Sequence, residues 1–467
     1  MNILSRPPAK PPTPGHHGAG PRVRDVPGVF LTGSTMRHVL VMSAAGAAGL
    51  VSVFFVDFLS LLYVSRLGDA SLTAAVGYAS QIIFLVISLN IGFSIAIGAL
   101  VSRALGAGDR PRARRLAFSG IMHMAVVSGG LSLLAMPFTH EILGLLGAKG
   151  AALEAGTTYL RLVLPAGVCL GLGMGFSSVL RAAGDARRAM YVTLGGAIVT
   201  ACLDPIFIFG LHLGLYGAGS VLVISRFVLM GIGWHGAVKV HDLVARPRLR
   251  PVIEDLKPMM TIAVPAILTN LATPVSSIYI MRIVSQFGQE TIAAFAIIDR
   301  VTPLAFGALF ALSGSVGPVM GQNFGARRFG RVRQVLTDCL ILSAGYVVLV
   351  SAALWLLSPV LAILFGAKGE TASMLRFFCT YGGILWFFLG GIFVANAAFN
   401  NLNAPYLSTV FNWGRATLGT IPFVTFGAAH FGPEGGYAGI MAGAALFGVV
   451  AVGAAYLVIA RLSRVPV

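Results

Sequence analysis

Two aspartates stand where an aspartate is costly. Asp57 lies about two thirds of the way along the apolar run 38–64, and Asp204 closes the run that reaches Pro205. A carboxyl inside a bilayer is a functional-site hypothesis by default, because burying its charge is expensive. Ser60 follows Asp57 by three residues and shares its helix face. Two carboxylates close together in low dielectric cannot both ionise cheaply, so such a pair can share one proton or one sodium ion. Reversible cation uptake is the chemistry this pair points to. The structural readings beside it are a hydrogen bond from Asp57 to a Ser, Tyr or Arg, and a helix-end role for Asp204 beside its proline.

The second half of the chain has one embedded acid, Asp299, with Arg300 next to it, and Ser277 stands opposite Asp57. Arg226 and Arg415 sit mid-segment, where they snorkel or pair with a carboxylate. Asn396, Asn400, Asn401 and Asn403 end one apolar run, close in sequence to Asn412 and Arg415. This group either lines a cavity or holds helices together by hydrogen bonds. Phe54, Phe58 and Tyr78 are aromatic candidates for a cavity that takes a cation or an amphipath, since aromatic faces attract cations. Lipid-facing packing is the competing reading for each of them. Gly321-Gln322-Asn323 lacks the Lys and Ser or Thr of a phosphate loop, and there is no HExxH or CxxC. The four cysteines, Cys169, Cys202, Cys339 and Cys379, have no paired spacing and read as small hydrophobes. No nucleophile, base and metal set appears, so the chain does not read as an enzyme and implies no cofactor beyond a coupling ion.

These residues are carried by long apolar runs. Of 467 residues, 57% are hydrophobic and 10% charged, against about 25% charged in a soluble domain. The expected class is an all-α polytopic membrane protein with twelve transmembrane helices, near 38–64, 77–101, 117–138, 158–181, 189–210, 215–236, 259–281, 295–320, 335–358, 376–399, 406–427 and 437–460. The runs do not alternate as barrel strands do. The stretch from Val39 to Arg115 returns about 220 residues later, with Gly68 on Gly288, Gly106 on Gly325, Arg112 on Arg331 and Arg114 on Arg333. The expected organisation is a disordered arm at 1–34, a six-helix lobe at 35–236, a linker at 237–257, a second six-helix lobe at 258–460 and a tail at 461–467. Six spans per lobe relate the halves by a pseudo-two-fold axis along the membrane normal. The Pro-rich arm does not read as a signal peptide.

The net charge of +17 sits mostly in the connections between runs, which argues against nucleic acid as a partner. With the arm inside, only Arg66, Lys149, Arg161, Arg282, Lys368 and Arg376 of the 33 Lys and Arg face outward. The positive-inside rule therefore puts both termini in the cytoplasm.

The chain resembles the multidrug and toxic compound extrusion (MATE) family over roughly residues 35–460. The resemblance rests on Ala99-Leu100-Val101-Ser102-Arg103-Ala104-Leu105-Gly106-Ala107-Gly108-Asp109, on Leu180-Arg181-Ala182-Ala183-Gly184-Asp185, on Leu203-Asp204-Pro205-Ile206-Phe207-Ile208-Phe209-Gly210 and on Tyr63-Val64-Ser65-Arg66-Leu67-Gly68. It implies two lobes around a central cavity and export of small organic, often cationic or amphipathic, compounds in exchange for H⁺ or Na⁺. The family's first-helix acid falls on Ser60, with Asp57 one turn earlier as its replacement. Its fifth-helix acid falls on Asp204, and the usual asparagine partner of that acid on Thr200. The cation-coupling set is thus Asp57, Ser60, Thr200 and Asp204. The substrate set is Phe54, Phe58, Tyr78, Asp299, Asn396, Asn400 and Arg415. Further expectations are H⁺ rather than Na⁺ coupling, a bacterial inner membrane, membrane lipid as surroundings and a monomer. The alternative is a lipid-linked precursor flippase of related architecture.

Overall fold

A computed structural model describes residues 28–464. Residues 1–27 of the expected arm and 465–467 of the tail lie outside them. Helices account for nearly all of the described chain, and no strand occurs among the described residues. The first half contains α1 (Thr35–Ser65), α2 (Ala70–Gly106), α3 (Arg110–Ala135), the short α4 (Thr139–Leu145), α5 (Gly150–Val163), α6 (Gly167–Ala182), α7 (Ala186–Pro205) and α8 (Gly214–Trp234). A short α9 (Leu249–Glu254) lies in the connection. The second half contains α10 (Leu256–Val284), α11 (Gln289–Gly325), α12 (Phe329–Leu364), α13 (Gly369–Asn401), α14 (Pro405–Ala416) and α15 (Ile421–Arg464). The helices run well past the apolar cores read from sequence. Capping sets where they start: Asp69 accepts from Ser71 N, Asp109 from Arg112 N and Asp185 from Arg188 N.

Eleven helical tracts among the described residues are long and apolar enough to cross a membrane. The last, Pro405–Arg464, is 60 residues long and folds back on itself. The chain leaves helical geometry at Phe431 and Gly432, inside α15. Around that break Gly427 meets Gly435, Gly439 meets the Phe423 carbonyl and Gly443 meets the Gly419 carbonyl. These contacts pair residues equally distant from Phe431, which is the signature of an antiparallel hairpin with touching backbones. The tract is therefore two crossings, and the total among the described residues is twelve. A glycine on at least one side of each contact is what lets the helices approach, as small residues do in membrane interiors.

The two halves pack as a pseudo-symmetric pair. Helix α1 lies on α11 while its repeat mate α10 lies on α2, and α2 and α11 face each other. At the arginine-rich end a Cβ on Gly106 would strike the Gln322 backbone, and a Cβ on Gly325 would strike the Arg103 carbonyl. Each contact maps onto the other when the halves are exchanged, as a self-complementary two-fold interface requires. The exposed large hydrophobics, such as Leu133 and Leu134 on α3 and Leu349 and Leu356 on α12, form the apolar outer surface.

The last residues of the expected arm are part of the fold, which corrects the disordered reading for 28–34. Val29–Leu31 form a 3-10 turn, and Phe30 is 2% exposed. Phe30 N donates to Gln322 Oε1 at 3.0 Å, and its carbonyl accepts from Asn323 and Arg331. Burial of one aromatic ring and the paired polar groups of this turn hold it against both halves. The connection between halves is likewise clamped to α3. Arg114 pairs with Asp242 and Arg115 with Asp255, both at 2.7 Å, and Ser119 Oγ donates to Asp255 at 2.8 Å. The expected linker 237–257 is thus partly helical. A π-turn prolongs α8 to Val240, and α10 already begins at Leu256.

Candidate functional site

The first lobe gathers its charges on neighbouring helices. A rise of about 1.5 Å per residue puts Asp57 about 10 Å past the midpoint of α1, in the half of the helix away from Thr35. Asp204 ends α7 in the same half. Helices α1 and α7 pack along their length, and Ser60 Oγ donates to Asp204 Oδ2. Asp204 is 1% exposed, and its Oδ1 has no hydrogen-bond partner. A buried carboxyl with one oxygen held and the other free has room for one proton or one small cation on that free oxygen. Asp57, one turn before Ser60, is exposed and lies within Coulombic range of Asp204 and Arg226. The arrangement is therefore graded: an exposed acid, a hydroxyl one turn on, and a buried acid bound to that hydroxyl.

Two departures from α-helical hydrogen bonding flank it. Pro205 lacks an N–H and ends α7 directly after Asp204, and the chain continues as a π-turn over Ile206–Gly210. Between α5 and α6, Leu164–Ala166 form a 3-10 turn in which Gly167 N bonds the Leu164 carbonyl. That bond leaves the Val163 carbonyl without its helical donor. Arg226 on α8 takes it, Nη1 to O at 2.8 Å. Arg226 is 5% exposed and faces Tyr159, Cys169 and Asp57. Its guanidinium is thus anchored by one main-chain bond and placed near the acids, without an ion pair inside contact distance.

The expected residues are placed as follows. Ser60 and Asp204 are bonded, and Asp57 lies beside them. Thr200 is buried, but its hydroxyl donates back to the Gly196 carbonyl at 3.1 Å, so it takes no part in the bonding of Asp204. The seven proposed substrate residues are not drawn into one lining. Phe54 packs edge-on against Phe310 of α11, and Phe58 is exposed. Tyr78 bonds the Gly147 carbonyl at 3.3 Å. Asp299 is exposed on α11 next to Arg300. Asn396 and Asn400 form a buried polar group rather than an open wall. Asn396 Oδ1 accepts from Asn412 at 3.0 Å and Asn400 Oδ1 from Ser408 at 3.3 Å, and all four are buried. Their amides join α13 to α14, because a buried amide must find partners. Arg415 on α14 is 8% exposed and reaches Thr273 Oγ1 at 3.3 Å.

Sequence reading did not place Arg226 and Tyr159 with the acids. An arginine mid-run was a visible signal, but its neighbours come from α1, α5 and α6, far apart in sequence. Among the described residues there is no cluster of His, Cys, Asp or Glu able to hold a metal ion.

Comparison with known proteins agrees with this architecture. A family model described as MatE matches residues 47–206 and 265–425. A FAD transporter of Shewanella oneidensis is 27% identical over 414 residues, which is 85% of this chain and 89% of the relative. The multidrug export protein MepA of Staphylococcus aureus is 24% identical over 308 residues, 65% of either chain. Among solved structures, an outward-facing multidrug resistance MATE family transporter of the MOP superfamily superposes with a TM-score of 0.87 at 20% identity. It covers 94% of this chain and 99% of that one. The Vibrio cholerae transporter VcmN in its bent form gives 0.87 at 24% identity, with 92% and 98% covered. At such identities the structural likeness speaks for the fold.

Proposed function

The chain belongs to the MatE family of membrane transporters, and we propose that it exports small organic compounds, cationic or amphipathic, in exchange for protons taken up at Asp57 and Asp204. The observation that carries this reading is the Ser60–Asp204 bond beside the unpartnered Oδ1 of a fully buried carboxyl. A proton arriving at exposed Asp57 passes to the Asp204 pair by way of the Ser60 hydroxyl, which both accepts and donates. Protonation removes a negative charge from the first lobe, next to the fixed positive charge of Arg226. That change of charge weakens the hold on a cationic compound and biases the lobes toward release outside. Return of the proton on the inner side restores the charge and resets the carrier.

In this reading the arginine-rich end faces the cytoplasm of a bacterium, both termini lie there, the membrane is the inner one, and the protein acts as a monomer. The charge distribution supports the orientation. The test is efflux of a fluorescent cationic dye from proteoliposomes, with a pH gradient and separately a sodium gradient. Dye movement that follows the pH gradient and is lost in Asp57→Asn supports proton coupling. Movement that follows only the sodium gradient replaces H⁺ with Na⁺ at the same site. No movement under either gradient removes the reading and favours a lipid-linked precursor as cargo.

A further inference from the structure

The fifth crossing of each lobe departs from α-helical geometry, and a buried charge stands at each departure. In the first lobe the α-helix passes into a π-turn after Pro205, and the charge is Asp204. In the second a break separates α14 from α15, and the charge is Arg415. Thr417 to Thr420 leave the helix there, with Thr420 Oγ1 donating to the Arg415 carbonyl at 2.9 Å. Arg415 lies ten residues into α14, about 15 Å from its start and near the middle of a core of about 30 Å. Transporters of this kind bind their cargo near the midplane, where crossing helices are interrupted.

The two charges differ in what surrounds them. Arg226 has Asp57 in Coulombic range. Among the described residues Arg415 forms no ion pair with any carboxylate. Helices α10 and α14, which pack together beside it, carry no acid at all, and the acid of α13, Glu370, lies at that helix's far end. Arg415 is more than nine-tenths buried, and its Nε has no hydrogen-bond partner. The bond it does make, to Thr273, ends on a residue exposed along α10. A buried guanidinium costs a large desolvation penalty unless a partner arrives. Its planar donors match the two oxygens of a carboxylate or phosphate.

We propose that Arg415, with Thr273, is a binding site in the second lobe for the phosphate or carboxylate group of an amphipathic compound. This goes beyond the export reading in naming an anionic cargo group, and it rests on that reading only for its role in transport. The two lobes then divide the work by sign: protons at Asp57 and Asp204, an anionic group at Arg415.

The test is binding of FAD, a phosphate-bearing flavin, to the purified full-length protein, with riboflavin as the comparator that lacks the phosphates. Wild-type protein is expected to prefer FAD by at least about tenfold, the scale of a hydrogen bond to a charged group. Arg415→Gln is expected to erase the preference, Arg415→Lys to keep part of it, and Thr273→Val to reduce it slightly. Inorganic pyrophosphate is expected to compete for FAD in the wild type and not in Arg415→Gln. Absence of FAD binding, equal binding of both flavins, or a preference untouched by Arg415→Gln overturns the proposal. If Arg415→Gln fails to fold, an unchanged preference in both Arg415→Lys and Thr273→Val overturns it equally. Dye efflux under a pH gradient, run on the same wild-type preparation, separates the two ideas. Efflux without Arg415-dependent binding removes the anion site alone. Arg415-dependent binding without efflux removes the coupling scheme alone.

Discussion

Arg103 and Gln322 occupy the same position in the two halves, and each ties its own lobe to the other by the same bond. Arg103 Nε donates to the Asn401 carbonyl at 2.9 Å, and Gln322 Nε2 donates to the Ala182 carbonyl at 2.8 Å. The same sequence offset separates the two donors and the two acceptors. Arg103 adds bonds to the Asn400 carbonyl and to Asn403 Oδ1, while Gln322 adds the Phe30 amide. This end of the molecule is closed by one lock built twice, with the Phe30 turn added on one side only.

Opening this end must break both copies of the lock. Arg103→Ala and Gln322→Ala are each expected to raise labelling of a cysteine placed at Ser102, which is fully buried, by a membrane-impermeant maleimide. The check is made in a background without the native cysteines, with inside-out vesicles. A several-fold increase is expected for each variant, since a buried hydrogen bond contributes about 1 kcal/mol and one of the bonds is to a guanidinium. Labelling at the wild-type level in both variants counts against the lock.

Gly106 and Gly325 permit the contact that the lock secures. Gly106→Val and Gly325→Val place a side chain against backbone on the opposite lobe, so each is expected to hold this end ajar and to cut transport by at least about tenfold at normal expression, the cost of overpacking being about 1–3 kcal/mol. Similar losses in both variants are expected from their equivalence. Transport assays with expression measured on the same membranes check it.

The hairpin inside α15 makes a stability prediction. Gly443→Val forces the seam open at the Gly419 carbonyl and is expected to lower stability by about 1–3 kcal/mol or more. Gly453→Ala, with open space around it, is expected to have no effect. Thermal unfolding in detergent compares the two.

Outside the membrane, Asp185 supplies a pH test. Partial burial pushes its carboxyl up, but the Arg188 amide, His241 and the Arg188 guanidinium outweigh this and hold it below the ordinary carboxylate value. Its stabilisation is therefore fully present above about pH 4 and is lost as pH falls through the lowered value. Asp185→Asn is expected to lower the melting temperature at pH 7, by the equivalent of about 1 kcal/mol, and to match the wild type at low pH. A deficit that stays constant down to the acid limit contradicts the assignment.

Much of this was legible in the sequence because the signals were local. The twelve apolar runs and Asp57 with Ser60 three residues on follow from spacing along one stretch of chain, and the Gly106 and Gly325 repeat from comparing two such stretches. Asp204 was legible as an acid at a proline, but its bond to Ser60 depends on the packing of α1 against α7 and was not. What spacing could not carry was partnership between distant helices. Arg226 stood out as a charge in an apolar run, yet its bond to Val163 depends on the turn at Leu164–Ala166 freeing a carbonyl. Thr200 sat four residues before Asp204 on the same face, but its hydroxyl had a nearer acceptor in its own helix. Phe30 was read with the arm because the stretch before it is rich in Pro and Gly. Its burial depends on Gln322, Asn323 and Arg331, nearly 300 residues away.

The most direct measurement is dye efflux driven by a pH gradient in proteoliposomes holding wild type, Asp57→Asn, Asp204→Asn and Ser60→Ala. The account predicts efflux in the wild type, none above background in the two aspartate variants, and roughly a tenfold slower rate in Ser60→Ala, the scale of one hydrogen bond to a carboxylate. Full pH-driven efflux by folded Asp57→Asn or Asp204→Asn would contradict it.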